Sequence, residues 1–284
     1  MCMITLESTN HFSEGYVTTT DNFNIYYKKL RPENPTKNIV IVPGFGATAT
    51  MFLGMQHFFY EQGYCSIILE LRGHGFSDGT PGYVQNHSDY LKDVDQVITN
   101  VAEKNIPVVI CGHSNGGLTS INYTSKYSSK IESVVLFSPW LGLSQPLNVL
   151  ENIVKKIAIK VYPKISLPMG KRGADPLGCT TNFVWQKILE VDKQIHTWAS
   201  AGATNQAELT QSTLITETSK FSKPTIVIHA TKDPVASYDI CKKWFDDISS
   251  IKKKFITVGN PVHHPFLESN IKQIYLEIYI FINE

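Results

Sequence analysis

Gly112-His113-Ser114-Asn115-Gly116 sets a hydroxyl between two glycines. The apolar run Pro107–Cys111 precedes it and a helical stretch, Leu118–Lys126, follows. A G-x-S-x-G sequence between strand and helix is a nucleophile elbow, a turn so tight that its flanking positions must lack side chains. The helix N-terminus then places backbone N–H groups beside Ser114, where charge develops on an attacked carbonyl.

Serine is a weak nucleophile and needs a base held by an acid, and in sheets carrying such an elbow the chain order is nucleophile, acid, base. The acid falls after the strand Thr225–His229, at Asp233 of Ala230-Thr231-Lys232-Asp233-Pro234-Val235; Asp239, Asp246 and Asp247 lie on the next helix and point away. The base falls after Phe255–Val258, where His263 and His264 compete. His264 precedes Pro265 and starts the last helical turn, which favours His263. The remaining histidines, His113 among them, read as structural or surface residues. Pro43-Gly44-Phe45-Gly46 follows the strand Asn38–Val42, and its glycines let a backbone N–H turn into the site. The oxyanion donors are therefore the backbone N–H groups of Phe45 and Asn115. Arg72-Gly73-His74-Gly75-Phe76-Ser77-Asp78-Gly79 has no phosphate-loop lysine and reads as a structural loop. No H-E-x-x-H or comparable spacing occurs, so neither a metal nor a cofactor is expected.

The elements that must position these residues alternate. Tyr16–Leu30 reads as a hairpin turning at Asp21-Asn22. Short apolar runs at Asn38–Val42, Cys65–Leu69, Val108–Cys111, Ser133–Phe137, Thr225–His229 and Phe255–Val258 then alternate with helical stretches, and Ile271–Ile282 closes the chain. Apolar runs of this kind are strands covered on both faces of a mostly parallel sheet. Between Pro139 and Ser222 the rhythm breaks, with no clear strand and with helices over Leu147–Val161 and Val184–Thr197. The chain thus divides into a core of residues 1–138 and 223–284 and an inserted helical cap of residues 139–222. Within the cap, Leu147, Leu150, Ile153, Val154, Ile157 and Val161 form an apolar stripe. Lys155, Lys156, Lys160, Lys164, Lys171 and Arg172 stand nearby against the single acid Glu151. A basic amphipathic helix of this kind can lie in a lipid interface. The alternative is that the stripe packs on the core and the lysines face water.

The 284 residues are 42% hydrophobic and only 18% charged, enough apolar matter for a large core and too little charge for a disordered chain. With 26 basic and 25 acidic residues the net charge is +1, which argues against a nucleic-acid partner. Cys2, Cys65, Cys111, Cys179 and Cys241 are odd in number and widely spaced, the pattern of reduced thiols in a cytoplasmic protein. No signal peptide and no run of about 18 apolar residues is visible.

Taken in order, Pro43-Gly44-Phe45-Gly46, the Leu71–Gly79 loop, Gly112–Gly117, Thr231–Val235 and His263-His264-Pro265-Phe266-Leu267-Glu268 resemble the α/β-hydrolase superfamily. The chain is similar to its monoacylglycerol lipase and lysophospholipase branch over about Tyr16 to Phe281. In that branch the base is commonly followed five positions later by Glu, a register that His263 and Glu268 fit and His264 does not. Glu70 stands where Asp is usual, and Pro43 where the oxyanion loop usually has His; neither change removes a backbone donor. The resemblance implies an α/β-hydrolase fold with an inserted cap, and hydrolysis of single-acyl lipid esters without a cofactor, with peripheral membrane contact through the cap. A short-chain carboxylesterase, an N-terminal peptidase and a non-catalytic ligand receptor are the alternatives.

Overall fold

The computed structural model describes residues 3–8, 11–168, 179–196 and 198–284. One nine-stranded sheet organises them. Its strands in chain order are β1 (Met3–Ser8), β2 (Phe12–Thr18), β3 (Asn24–Leu30), β4 (Asn38–Val42), β5 (Cys65–Leu69), β6 (Val108–His113), β7 (Ser133–Phe137), β10 (Thr225–Ala230) and β11 (Lys253–Val258), and they lie in the order β1-β2-β3-β5-β4-β6-β7-β10-β11. From β5 to β11 all neighbours are parallel; β1, β2 and β3 add an antiparallel edge. The expected hairpin is β2–β3, and β1 is a further strand that the sequence pattern did not suggest.

Alternation along the buried strands feeds two cores. Val40, Val42, Ile67, Leu69, Ile110, Leu136 and Val227 face one side, with Leu91 and Val94 of α2 (His87–Asn100), Leu118 of α3 (Asn115–Lys126) and Trp244 of Tyr238–Asp247. Ile39, Ile41, Ile68, Val109, Val135, Phe137 and Ile228 face the other, against Phe59 of α1 (Leu53–Glu61) and Ile278 of Ile271–Asn283. Helices on both faces are what allow these strands to be apolar throughout. Cys65, Cys111, Cys179 and Cys241 are buried.

β7 and β10 lie side by side, Val134 opposite Thr225, yet the chain between them leaves the sheet. It forms α4 (Val149–Val161), β8 (Ser166–Pro168), α5 (Phe183–Val191), β9 (Trp198–Ser200) and α6 (Ala201–Thr216). β8 and β9 pair antiparallel as a separate two-stranded sheet, so the expectation of no strand here is corrected. These strands are three residues each, too short for a period to show. The helix expected over Val184–Thr197 ends at Val191. The Asp192 carboxylate accepts the Gln194 N–H at 2.9 Å, turning the chain, and the His196 N–H then donates to Gly46 O at 3.2 Å. Thr197, Lys171 and Arg172 lie outside the described residues.

Candidate active site

Ser114 sits between β6 and α3 with φ 53° and ψ −119°, a backbone conformation that L residues avoid at a cost of about 1–3 kcal/mol. Its N–H donates to Phe137 O at 3.0 Å, and its carbonyl accepts the N–H groups of Leu118 and Trp140, each at 3.0 Å. The turn is closed sterically as well. A Cβ on Gly116 would lie 2.0 Å from Val42 O, so no larger residue fits where α3 crosses β4. Surrounding structure thus over-determines the strained turn.

Asp233 follows β10. Its Oδ1 accepts the N–H groups of Val235 and Ala236 at 2.8 and 3.0 Å, fixing the carboxylate plane. Oδ2 lies 2.9 Å from His263 Nδ1. A carboxylate only accepts, so Nδ1 carries the proton and Nε2 is left as the acceptor, the tautomer a general base requires. Oδ2 also lies 3.2 Å from His229 Nε2, a fully buried contact from within β10. Burial pushes the Asp233 carboxyl up, but attraction to His263 and hydrogen bonds from His229 and His263 outweigh it and hold the group well below the usual carboxylate range. Among the described residues Ser114 Oγ makes no hydrogen bond, so it is not engaged with His263; serine–base bonds often close only when substrate is present.

The Ala47 N–H closes a turn on Gly44 O at 3.3 Å, with Phe45 and Gly46 at its corners and Gly46 at φ 70°. Gly44 presses against the elbow: a Cβ there would lie 2.8 Å from Ser114 Cβ. The turn carrying Phe45 N–H is therefore in contact with Ser114. Asn115 is the first helical residue of α3, and its N–H has no intrahelical acceptor.

Ser114 opens onto a cavity of about 120 Å³ lined by Phe45, Trp140, Leu143, Leu147, Leu167 and Val235, with Lys155, Thr204 and Glu208 as its polar members. Lys155 is the one buried residue of α4 among those described, and it is ion-paired with Glu208 of α6. Leu147 of the expected stripe lies before α4 and lines the cavity, and from Leu150 onward the stripe faces the opposite way. Leu150 is 70% exposed, Val161 77%, and Ile153, Val154 and Ile157 about half. Packing of that stripe on the core is thus excluded, and Lys155 is not one of the solvent-facing lysines.

Two arrangements escaped the sequence reading. His113 is buried beside the loop that bears His263. Its Nε2–H donates to His263 O at 3.1 Å and lies 3.1 Å from His264 Nδ1. Burial, then the neighbouring His264 and His263, push the His113 imidazole well below its ordinary value; burial and His263 do the same to His264. These three histidines are also a group whose ring nitrogens gather within 4.8 Å, close enough to hold a metal ion. His263 Nδ1 and His113 Nε2 already serve Asp233 and the His263 carbonyl. The second arrangement is Glu268, which accepts Thr180 Oγ1–H at 2.6 Å, the Thr181 N–H at 2.8 Å and the Thr181 hydroxyl. Cys179 O accepts the N–H groups of both His263 and His264, at 3.1 and 2.8 Å. Residues 179–182 are thereby stapled to the loop bearing His263. The five-residue step from His263 to Glu268 was the available signal; the threonines gave none.

A family model described as Hydrolase_4, serine aminopeptidase S33, matches residues 33–270. The chain belongs to this family. Among curated relatives of this S33 hydrolase, phospholipase YtpA of Bacillus subtilis is 23% identical over 252 residues, covering 86% of this chain and 94% of the relative. Monoacylglycerol lipase of Mycolicibacterium smegmatis is 23% identical over 231 residues, covering 79% and 81%. The solved monoacylglycerol lipase of Paleococcus ferrophilus superposes with a TM-score of 0.81 at 21% identity, covering 91% of this chain and 98% of that one. A soluble variant of the Saccharomyces cerevisiae monoglyceride lipase gives 0.80 at 18%, covering 92% of each. The fold is the α/β-hydrolase fold, with the mostly parallel sheet expected for it.

Proposed function

We propose that this S33 hydrolase is a serine esterase that cleaves single-acyl lipids through an acyl-enzyme. His263 Nε2 takes the Ser114 proton as Oγ attacks the ester carbonyl, and the N–H groups of Phe45 and Asn115 hold the oxyanion. Asp233 keeps His263 in its working tautomer and offsets the charge it acquires. The alcohol leaves with the proton from His263, and water, deprotonated by the same imidazole, releases the acid. The observation that carries the reading is the pairing of Asp233 with His263 beside a strained Ser114 that opens onto an apolar cavity. The relatives named as lipases and a phospholipase agree with the lipid assignment.

Residues 139–222 act in this reading as a cap over Ser114, and the exposed stripe of α4 is the face that meets a lipid aggregate. Lys156, Lys160 and Lys164 are exposed beside it and suit an anionic surface. Among the described residues no helix is long and apolar enough to cross a membrane.

The family's description favours a second reading, an aminopeptidase. Such an enzyme needs a carboxylate for the substrate ammonium, and the carboxylate in the cavity lining, Glu208, is ion-paired with Lys155, which an ammonium that brings no anion for the lysine would have to displace. One panel separates the readings: monoacylglycerols, lysophospholipids, short acyl esters and aminoacyl anilides, with Ser114→Ala as control. Long-acyl esters should turn over fastest, and a fluorophosphonate should label the wild type and not Ser114→Ala. Preference for the anilides, or equal labelling of both proteins, would overturn the proposal.

A further inference from the structure

We infer that the Lys155–Glu208 ion pair reads the head group, and that it selects single-acyl lipids carrying a zwitterionic phosphodiester. This rests on the serine-esterase reading above. α4 is unusual for a helix beside a cavity: Leu150, Ile153, Val154, Ile157 and Val161 are exposed while its buried residue is a lysine. Lys155 and Glu208 are the charged members of an otherwise largely apolar lining that also holds Ser114. A purely hydrocarbon ligand would cover these charges while offering neither of them a partner. A neutral glycerol would leave the pair as it stands. A lone anion would meet Lys155 but be opposed by Glu208. A zwitterion satisfies both, its phosphate oxygens on the ammonium and its amine on the carboxylate.

The Lys155 side chain is 10% exposed and that of Glu208 39%, so the ammonium is the more sheltered member of the pair. In a lysophospholipid the phosphate is nearer the scissile ester and the amine is distal, so the phosphate is likewise the more sheltered group of a bound head group. Lysine holds phosphate as a compact point charge with three donors, so it can leave Glu208 for an incoming oxyanion without reshaping the wall.

The pair also bridges α4 to α6, and a purely structural bridge is the rival explanation. The double swap Lys155→Glu with Glu208→Lys keeps a bridge and reverses its polarity, which separates the two. The measurement is kcat/KM for lysophosphatidylethanolamine, lysophosphatidylglycerol and monoacylglycerol of one acyl length in neutral mixed micelles. Wild type should prefer the zwitterion. The swap should lower the ratio of zwitterion to monoacylglycerol at least tenfold. Lys155→Met should lower both phospholipids relative to monoacylglycerol, and Glu208→Gln should lower the zwitterion relative to lysophosphatidylglycerol. Ratios within twofold of wild type in the swap and in Lys155→Met, with turnover intact, would overturn this inference alone. No turnover of any ester and no fluorophosphonate labelling of Ser114 would instead remove the esterase reading beneath it.

Discussion

Thr180 Oγ1 donates a 2.6 Å hydrogen bond to the buried carboxylate of Glu268, five residues beyond His263. With Cys179 O receiving the His263 and His264 N–H groups, this makes the loop bearing His263 and residues 179–182 one hydrogen-bonded unit. Glu268 is thus a positioning residue for His263. Glu268→Ala should lower kcat on a small soluble ester by about 10- to 100-fold, the usual cost of misplacing a catalytic group by about 1 Å, with little change in KM. Glu268→Gln keeps one acceptor and should restore much of the loss. A fall in melting temperature with kcat intact in both variants would reduce Glu268 to a structural tie.

Ser114 is held at positive φ, where alanine is as strained as serine. Ser114→Ala should therefore lose turnover while keeping the strain. Ser114→Gly should lose turnover and release it. The strain is worth about 1–3 kcal/mol, and glycine's added freedom in the unfolded chain takes back about 0.4–1. Ser114→Gly should come out about 1 kcal/mol more stable than Ser114→Ala in urea titrations. Equal stability would mean that the elbow relaxes once the hydroxyl is gone.

Most of the scaffold was legible because local signals and tertiary demands agree. The strands that precede Phe45, Ser114 and Asp233 are built on the apolar runs Ile39–Val42, Val108–Cys111 and Ile226–Ile228, and burial on both faces requires that composition. What was not legible depends on which way a side chain turns. Periodicity marked the α4 stripe correctly, but not whether it faces core or solvent, because an inserted helix can bury either side. The partner that fixes Lys155, Glu208, lies 53 residues away on α6, and no spacing rule joins them. His229 and His113 sit inside strands as ordinary core positions; the turn after the strand folds Asp233 back onto His229, four residues earlier, and only the tertiary fold brings His113 to His263.

The orientation of α4 sharpens what a docking experiment should change. Lys155 is buried and paired, so the lysines to replace are Lys156 and Lys160, both exposed. Each basic residue near an anionic surface contributes about 1 kcal/mol, so Lys156→Glu with Lys160→Glu should weaken vesicle binding by about tenfold or more at low salt. Ile153→Ser with Ile157→Ser should weaken it further by removing apolar burial. Both pairs should slow hydrolysis of aggregated lipid and spare a soluble ester, with added salt imitating only the lysine pair. Vesicle co-sedimentation unchanged in both pairs would leave α4 as a solvated face.

Buried neutral histidines set the acid limit of the fold. Burial pushes His74 down to about 3 and His87 down to about 4; burial and adjacent imidazoles push His113 and His264 well below their ordinary value. In each case the folded chain refuses a proton that the unfolded chain accepts near pH 6.5. Their stabilisation is therefore whole above that pH and is lost as pH falls toward the folded values, at about 1.4 kcal/mol per pH unit for each histidine. Asp233 has a depressed carboxyl too, but its contribution is lost only below the ordinary carboxylate range, at lower pH. Glu70, pushed up by burial, acts with the opposite sign and offsets part of the slope in acid. Between pH 6.5 and 4 the urea midpoint should fall steeply, with the histidines as cause. His87→Gln cannot be protonated, and its side chain can still meet Asn122 and Thr119, the neighbours of the imidazole. It should flatten the slope by about one proton, measured as stability against pH in parallel with wild type. A slope unchanged by His87→Gln would show that His87 is protonated in the folded chain, and the acid limit would then rest on His74, His113 and His264.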